Sequence, residues 1–308
     1  MRSSAVSKFA LAALVAACAM SVQAARVQAP GQEEDLVPTG KGWGERATPD
    51  RAAGKNANPF GQNGISYHGG PLITAGPNVY YIWYGNWSGN SATTILTNLG
   101  SSIGGSSYFN INTTYYDGSN AHVANRVQLL SQVNDNYSHG TALSDSAVQA
   151  VVSSAITSGA LPKDANGVYF VLTSSDVNET SGFCTQYCGW HTHGTIGGSD
   201  IKYAFIGNPD RCPSACEIQS ASSPNGNPGA DGMASIIAHE LEEATTDPDL
   251  NAWYDRRGEE NADKCAWTFG TTSTASDGSK SNVTLGGKRY MIQQNWVNAS
   301  GGYCSMSY

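Results

Sequence analysis

The strongest constraint in this chain is the stretch Met233-Ala-Ser-Ile-Ile-Ala-His239-Glu240-Leu241-Glu242-Glu243-Ala-Thr-Thr-Asp247-Pro248. Its apolar residues recur with helical spacing, yet a histidine and three glutamates stand among them. At about 100° per residue, His239 and Glu243 fall about 40° apart and one turn along, so both side chains can reach a single ion. Glu240 falls about 100° round from His239, among Met233, Ile236 and Ala244, where a solvated charge does not belong. A carboxylate on that flank is paired or functional, and desolvation raises its pKa toward the range of a general base. Glu242 falls on the far side and is expected to be solvated. The predicted helix begins after Asn225-Gly-Asn-Pro-Gly229 with Asp231 as its cap, and Pro248 ends it just past Asp247.

A catalytic zinc takes three protein ligands, keeps a fourth position open for water and sits beside a carboxylate that accepts the water's proton. His239 and Glu243 supply two ligands, and Glu240 is the candidate base. The third is sought among Glu259, Glu260 and Asp263. Glu260 and Asp263 are three residues apart on one helical face, so Glu260 can bind the ion while Asp263 binds it too or orients His239. The bland alternative is a solvated acidic turn. A glutamate stands where a second histidine would supply nitrogen, and two carboxylates neutralise the dication and leave its water less acidic. Metal binding is therefore expected ahead of catalysis. An oxygen-rich ligand set also admits manganese, calcium or magnesium, so zinc is a preference. His191 and His193 lie in a Gly/Cys-rich loop. Either can reach the ion or steady an oxyanion, and either can equally be a structural hydrogen-bonder. There is no G-x-S-x-G elbow to support a serine nucleophile.

Export organises the rest. Residues 1–24 read as a signal peptide: Arg2 and Lys8, an apolar run from Phe9 to Met20, and a small-residue cleavage site at Val22-Gln-Ala24. Val15-Ala-Ala-Cys18 gives the alternative of a lipid anchor through Cys18. Six cysteines remain, Cys184, Cys188, Cys212, Cys216, Cys265 and Cys304. In an oxidising compartment they imply three disulfides of unspecified pairing, with a C-x3-C zinc site as the minority reading. Net charge is −8 with no Lys/Arg cluster, which excludes a nucleic-acid partner. Beyond residue 24 no apolar run is long enough for a transmembrane segment, and a monomer is expected. Residues 25–63 are Gly-, Pro- and charge-rich without hydrophobic period and read as a disordered leader or pro-segment. Residues 64–308 form the one domain.

Within it, Val79 to Trp87 reads as a buried aromatic strand and Ala92 to Leu99 as a short helix. His122 to Asn136 reads as a strand, and Ser144 caps a helix carrying Val148, Val151, Val152, Ala155 and Ile156. Val168–Leu172 and Tyr203–Ile206 read as central strands, and residues from Asn282 to Val297 as closing ones. This order matches an α+β fold class: a single zincin-like domain with a mixed β-sheet, a metal-binding active-site helix and three disulfides.

Three stretches carry a resemblance. They are Gly69-Gly-Pro-Leu with Val79-Tyr-Tyr-Ile-Trp-Tyr-Gly-Asn-Trp87, Leu161-Pro-Lys-Asp-Ala-Asn-Gly-Val-Tyr-Phe-Val-Leu-Thr-Ser-Ser175 running into Cys188-Gly-Trp-His191, and Asp231 through Pro248. Together, over about residues 66–305, the chain resembles the phosphate-induced protein 1, or EXORDIUM-like, family. The resemblance implies a secreted, wall- or matrix-associated protein, growth-related in plants, and does not imply a settled activity. His191, His239, Glu240, Glu243, Glu260, Asp263, Cys184, Cys188 and Cys265 stand where the family pattern has them, whereas His193 and Glu242 have no place in it. Plant members usually read Glu-Ile-Ala/Gly-Asp-Leu-Cys where this chain has Glu260-Asn-Ala-Asp-Lys-Cys265, which favours Glu260 over Glu259. The expected substrate or ligand is a peptide, with zinc, His239, Glu243 and Glu260 as the centre, Asp263 beside it, and Glu240 and His191 in catalytic roles. The competing expectation is a non-catalytic protein that binds cell-wall polysaccharide through its aromatic residues.

Overall fold

The computed structural model describes residues 36–41 and 64–308. The expected signal peptide, Cys18 and the rest of the leader lie outside the described residues. The framework is a five-stranded mixed sheet built from β1 (Asn78–Tyr84), β2 (Gln128–Asp135), β3 (Gly167–Thr173), β4 (Gly189–Ile196) and β5 (Ser199–Ile206), in the order β2-β1-β3-β5-β4. The first four strands are mutually parallel, and β4 returns antiparallel to β5 and forms one edge.

The residues explain the order. β1 (NVYYIWY) and β3 (GVYFVLT) are apolar at nearly every position and buried from end to end except at the half-buried Asn78, as parallel strands covered on both faces must be. β2 alternates exposed and half-buried positions, the signature of the opposite edge. The strand expected from His122 to Asn136 is real only over its second half. Before Gln128 the chain is held by local contacts, among them a single bridge between Tyr116 and His122. The aromatic residues of β1 and its neighbours pack on one another as core, including Tyr80 on Tyr169 and Trp83 on Trp87.

Helix α1 (Ala92–Ser102) runs a turn longer than expected, and α2 (Asp145–Thr157) starts as expected, with Ser144 Oγ accepting from the Ala147 amide at 3.2 Å. Helix α3 (Pro228–Thr246) carries the acidic motif and packs against α1, β4 and β5. Its cap is Asn227, whose side chain accepts from the Ala230 amide at 3.0 Å. Asp231, the cap expected from sequence, lies inside the first turn and binds Asn225 instead.

From Gly229 onward every residue of α3 is buried, so the helix has no wet side. Glu242 is therefore not the solvated residue that helical periodicity suggests: it is inaccessible and accepts from Asn295 Nδ2 at 2.5 Å. Burial pushes its carboxyl well above the usual carboxylate range, against the opposing pull of Asn112 and Asn295. The wheel places Glu242 opposite the motif correctly. It cannot show that the C-terminal hairpin β6 (Asn295–Val297) and β7 (Tyr303–Ser305) covers that side.

Among the described residues all six cysteines are paired, as Cys184–Cys212, Cys188–Cys216 and Cys265–Cys304. The first two join the loop before β4 to the turn before α3 and exclude the C-x3-C metal reading. The third ties β7 to the segment that follows Glu260. Among the described residues no helix is long and apolar enough to cross a membrane.

Candidate metal centre

Three elements converge at the edge of the sheet. Helix α3 supplies His239, Glu240 and Glu243, edge strand β4 supplies His191, and the segment after the Asp255–Glu259 turn supplies Glu260 and Asp263. Close approach of α3 to β4 depends on Gly189, where a Cβ would stand 2.5 Å from Ile236 Cγ2 and 3.4 Å from Glu240 Oε1. Glu240 thus faces the start of β4, on the flank where the wheel puts it.

The motif's i, i+4 spacing does what helical geometry requires, with His239 Nε2 lying 3.0 Å from Glu243 Oε1. On the other side of Glu243, His191 Nε2 lies 3.7 Å from Oε2 and 3.2 Å from both carboxylate oxygens of Glu260. Two donor sets result, His191 with Glu243 and Glu260, and His239 with Glu240 and Glu243, each with ligand atoms within 4.8 Å of one another. Glu243 belongs to both. The trio expected from sequence, His239, Glu243 and Glu260, is distributed over the two sets. Asp263 links them: its amide donates to Glu243 Oε1 at 3.0 Å, its Oδ1 lies 3.7 Å from His239 Nε2, and its Oδ2 accepts from the Glu260 amide at 3.3 Å.

Of the two adjacent acids, Glu260 turns inward to His191, while Glu259 is held by Arg257 at 3.2 Å. Lys264 directs its ammonium to Asp255 and over the Trp296 ring.

The cluster is buried, with His191, His239, Glu240, Glu243 and Glu260 each 1% exposed. Burial pushes the Glu260 carboxyl well above its ordinary range, and the charges of Glu243, Asp247 and Asp263 add to the rise. The His191 imidazole is pushed down to about 3, chiefly by burial, so it is neutral with a nitrogen lone pair to offer. Ligand atoms about 2.0–2.2 Å from one tetrahedral ion stand roughly 3.3 Å apart. The His–carboxylate separations of 3.0–3.7 Å bracket that value. Mutually repelling carboxylates beside the neutral His191 imidazole, at ligand–ligand spacing, fit a divalent cation.

From sequence, His193 shares with His191 the alternatives of reaching the ion, steadying an oxyanion or forming a structural hydrogen bond. Strand periodicity puts it on the same side as His191, two residues along, and that signal was available. There it meets Asp200 at 2.8 Å and Asp249 at 3.8 Å, and Lys202 binds both acids at 2.7 and 3.3 Å. This second group is charge-compensated by lysine. Asp247, also unassigned from sequence, accepts from the Asn251 and Ala252 amides at 2.6 Å and fixes the turn after α3.

The model of the phosphate-induced protein 1 conserved region matches residues 65–297. Protein EXORDIUM-like 3 of Arabidopsis thaliana is 34% identical over 279 residues, covering 78% of this chain and 82% of its own length. Protein EXORDIUM-like 5 of the same plant is 32% identical over 274 residues, 75% of each chain. Protein PHOSPHATE-INDUCED 1 of Nicotiana tabacum is 27% identical over 227 residues, 64% of this chain and 69% of that one. No solved structure matches the chain.

Proposed function

The chain belongs to the phosphate-induced protein 1 family, and from that premise we propose that it is an exported divalent-metal protein, zinc by preference, whose centre is built for peptide hydrolysis. The observation that carries the reading is the shared position of Glu243 between the His239/Glu240 set and the His191/Glu260 set. His191, His239, Glu243 and Glu260 are the candidate ligands, and Asp263 holds Glu243 through its backbone amide and sets its carboxylate 3.7 Å from His239 Nε2. The position of His191 against Glu260 and Glu243 favours a ligand role over the oxyanion role considered from sequence. A bound cation would act as a Lewis acid and lower the pKa of water. Glu240, buried beside His239 and Glu243, is the group positioned to accept a proton. The antiparallel edge strand running beside the motif helix supports a zincin-like arrangement, and the three disulfides support an extracellular destination.

A second reading has its own observation. A centre so fully buried suits a structural metal with no catalytic duty. The polysaccharide-binding reading draws less support: among the described residues the exposed large apolar side chains are Leu36, Val37, Leu130, Tyr303 and Tyr308, with no tryptophan among them. The test of hydrolysis is cleavage of a broad peptide library by the purified protein and by Glu240→Gln. Loss of cleavage in the variant with metal content retained supports catalysis; absence of cleavage by the wild type removes it and leaves the structural metal.

A further inference from the structure

A six-residue piece of the leader, Leu36-Val-Pro-Thr-Gly-Lys41, lies on the free side of β4. The carbonyl of Gly40 accepts from the amide of His191 at 3.0 Å, and the amide of Leu36 donates to the Arg256 carbonyl at 3.1 Å. His191 is a candidate ligand on β4, and Arg256 sits in the turn that leads into Glu260. The piece therefore bridges the two elements that bring His191 and Glu260 together. Leu36, Val37 and Thr39 are exposed while Pro38 and Gly40 are buried, so the piece lies against the surface through Pro38 and Gly40. Gly40 stands at His191 and Lys41 toward Trp190 and Tyr187, so the piece runs antiparallel to β4.

Two positions are selective. Gly40 has φ +66°, and a Cβ there would stand 1.9 Å from the His191 carbonyl oxygen, a backbone atom that cannot yield. Lys41 reaches Asp145 Oδ2 at 2.5 Å and Ser181 Oγ at 2.7 Å, and its ammonium lies 5.4 Å from each of the Tyr187 and Trp190 ring centroids.

We infer that the free edge of β4 beside His191 is a binding site for an extended peptide, with glycine against His191 and a basic residue next to it at Asp145 and Ser181. Residues 36–41 are its occupant in cis. Main-chain pairing to an exposed sheet edge gives such a site its affinity, and the two positions give it selectivity. As a statement about the candidate metal centre it rests on the reading above: the same strand presents His191 to the cluster on one hand and the peptide on the other, so residues 36–41 occupy the strand edge beside the centre until they are displaced or cut away.

The test is hydrogen–deuterium exchange at the His191 amide in the full chain, followed by mass spectrometry. Gly40→Val introduces the collision with the His191 carbonyl, and Lys41→Glu sets a like charge against Asp145 and removes the cation from the Tyr187 and Trp190 rings. Both are expected to speed exchange in the segment holding His191 by roughly tenfold or more, with the interior of β3 unchanged. The synthetic hexapeptide of sequence 36–41, added in excess to either variant, is expected to restore slow exchange, and the same peptide with valine at the glycine position is not. Equal exchange in the wild type and both variants overturns the docking, and failure of the hexapeptide to restore protection overturns the peptide site. Metal content measured on the same samples separates this inference from the preceding one. Segment-dependent protection in a metal-free protein refutes only the metal centre, and segment-independent protection in a metal-bearing one refutes only the peptide site.

Discussion

Replacing Glu243 with glutamine should invert the order of stability between chelated and metal-loaded protein. Glu243 lies within 4.8 Å of donor atoms in both sets. At that distance from the Glu260 carboxylate, two negative charges repel by roughly 3.5 kcal/mol at an effective dielectric of 20. Without metal, the raised pKa of Glu260 lets a proton absorb much of that repulsion, so the neutral glutamine should gain only about 1–2 kcal/mol in the chelated state. The fold should tolerate the change, because glutamine keeps the oxygen that accepts from the Asp263 amide at 3.0 Å. With metal the sign reverses. A ligand present at about a thousandfold over its Kd stabilises by about 4.1 kcal/mol, which for a domain of this size is a Tm shift of about 8–16 °C. The assay is thermal unfolding of wild type and Glu243→Gln, each with zinc and with EDTA. Wild type should lose stability with EDTA and the variant should not respond. An equal EDTA response in both proteins, or none in the wild type, refutes the assignment of Glu243 as the shared ligand.

Further expectations follow from single contacts. Glu242→Gln should stay within about 1 kcal/mol of wild type, because burial already favours a neutral side chain there. Glu242→Ala should lose about 2–4 kcal/mol by leaving Asn295 unsatisfied beside a cavity, and urea denaturation distinguishes the two outcomes. Asp263→Asn should keep the fold, because the bond to Glu243 comes from the backbone amide of residue 263, and should weaken metal affinity about 10–100-fold, read by competition with a chromogenic chelator, since it removes the carboxylate charge 3.7 Å from His239 Nε2. Removing the Cys184–Cys212 bridge, which closes 28 residues of chain, should cost about 2–4 kcal/mol in denaturant unfolding, while the parallel Cys188–Cys216 bridge keeps the loop before β4 in place.

The motif helix was legible because its signals are local. Helical period, the proline at its end and the i, i+4 pairing of His239 with Glu243 are all properties of one segment, and the structure returns them at 3.0 Å. The central strands were legible because a run such as residues 167–173 is apolar without interruption. What failed had distant causes. Glu242 looks wet on a wheel, and residues distant in the chain, Asn112 and Asn295 among them, cover it. Asp231 has the chemistry of a cap, but Asn227 stands one residue before Pro228 and takes that position. The cysteine pairings and the inward turn of Glu260 toward His191, 69 residues apart, likewise depend on chain topology that no local pattern encodes. The leader's composition gave no reason to expect residues 36–41 against His191, because one glycine and one lysine make the contact and hydrophobic period plays no part.

The most direct test of the centre is elemental analysis of the purified protein after extensive exchange into metal-free buffer without chelator. About one equivalent of a divalent metal, zinc first, is expected in the wild type, and its loss in Glu243→Gln. Wild-type protein that is folded, disulfide-bonded and free of stoichiometric metal even after incubation with zinc, manganese, calcium and magnesium contradicts this expectation.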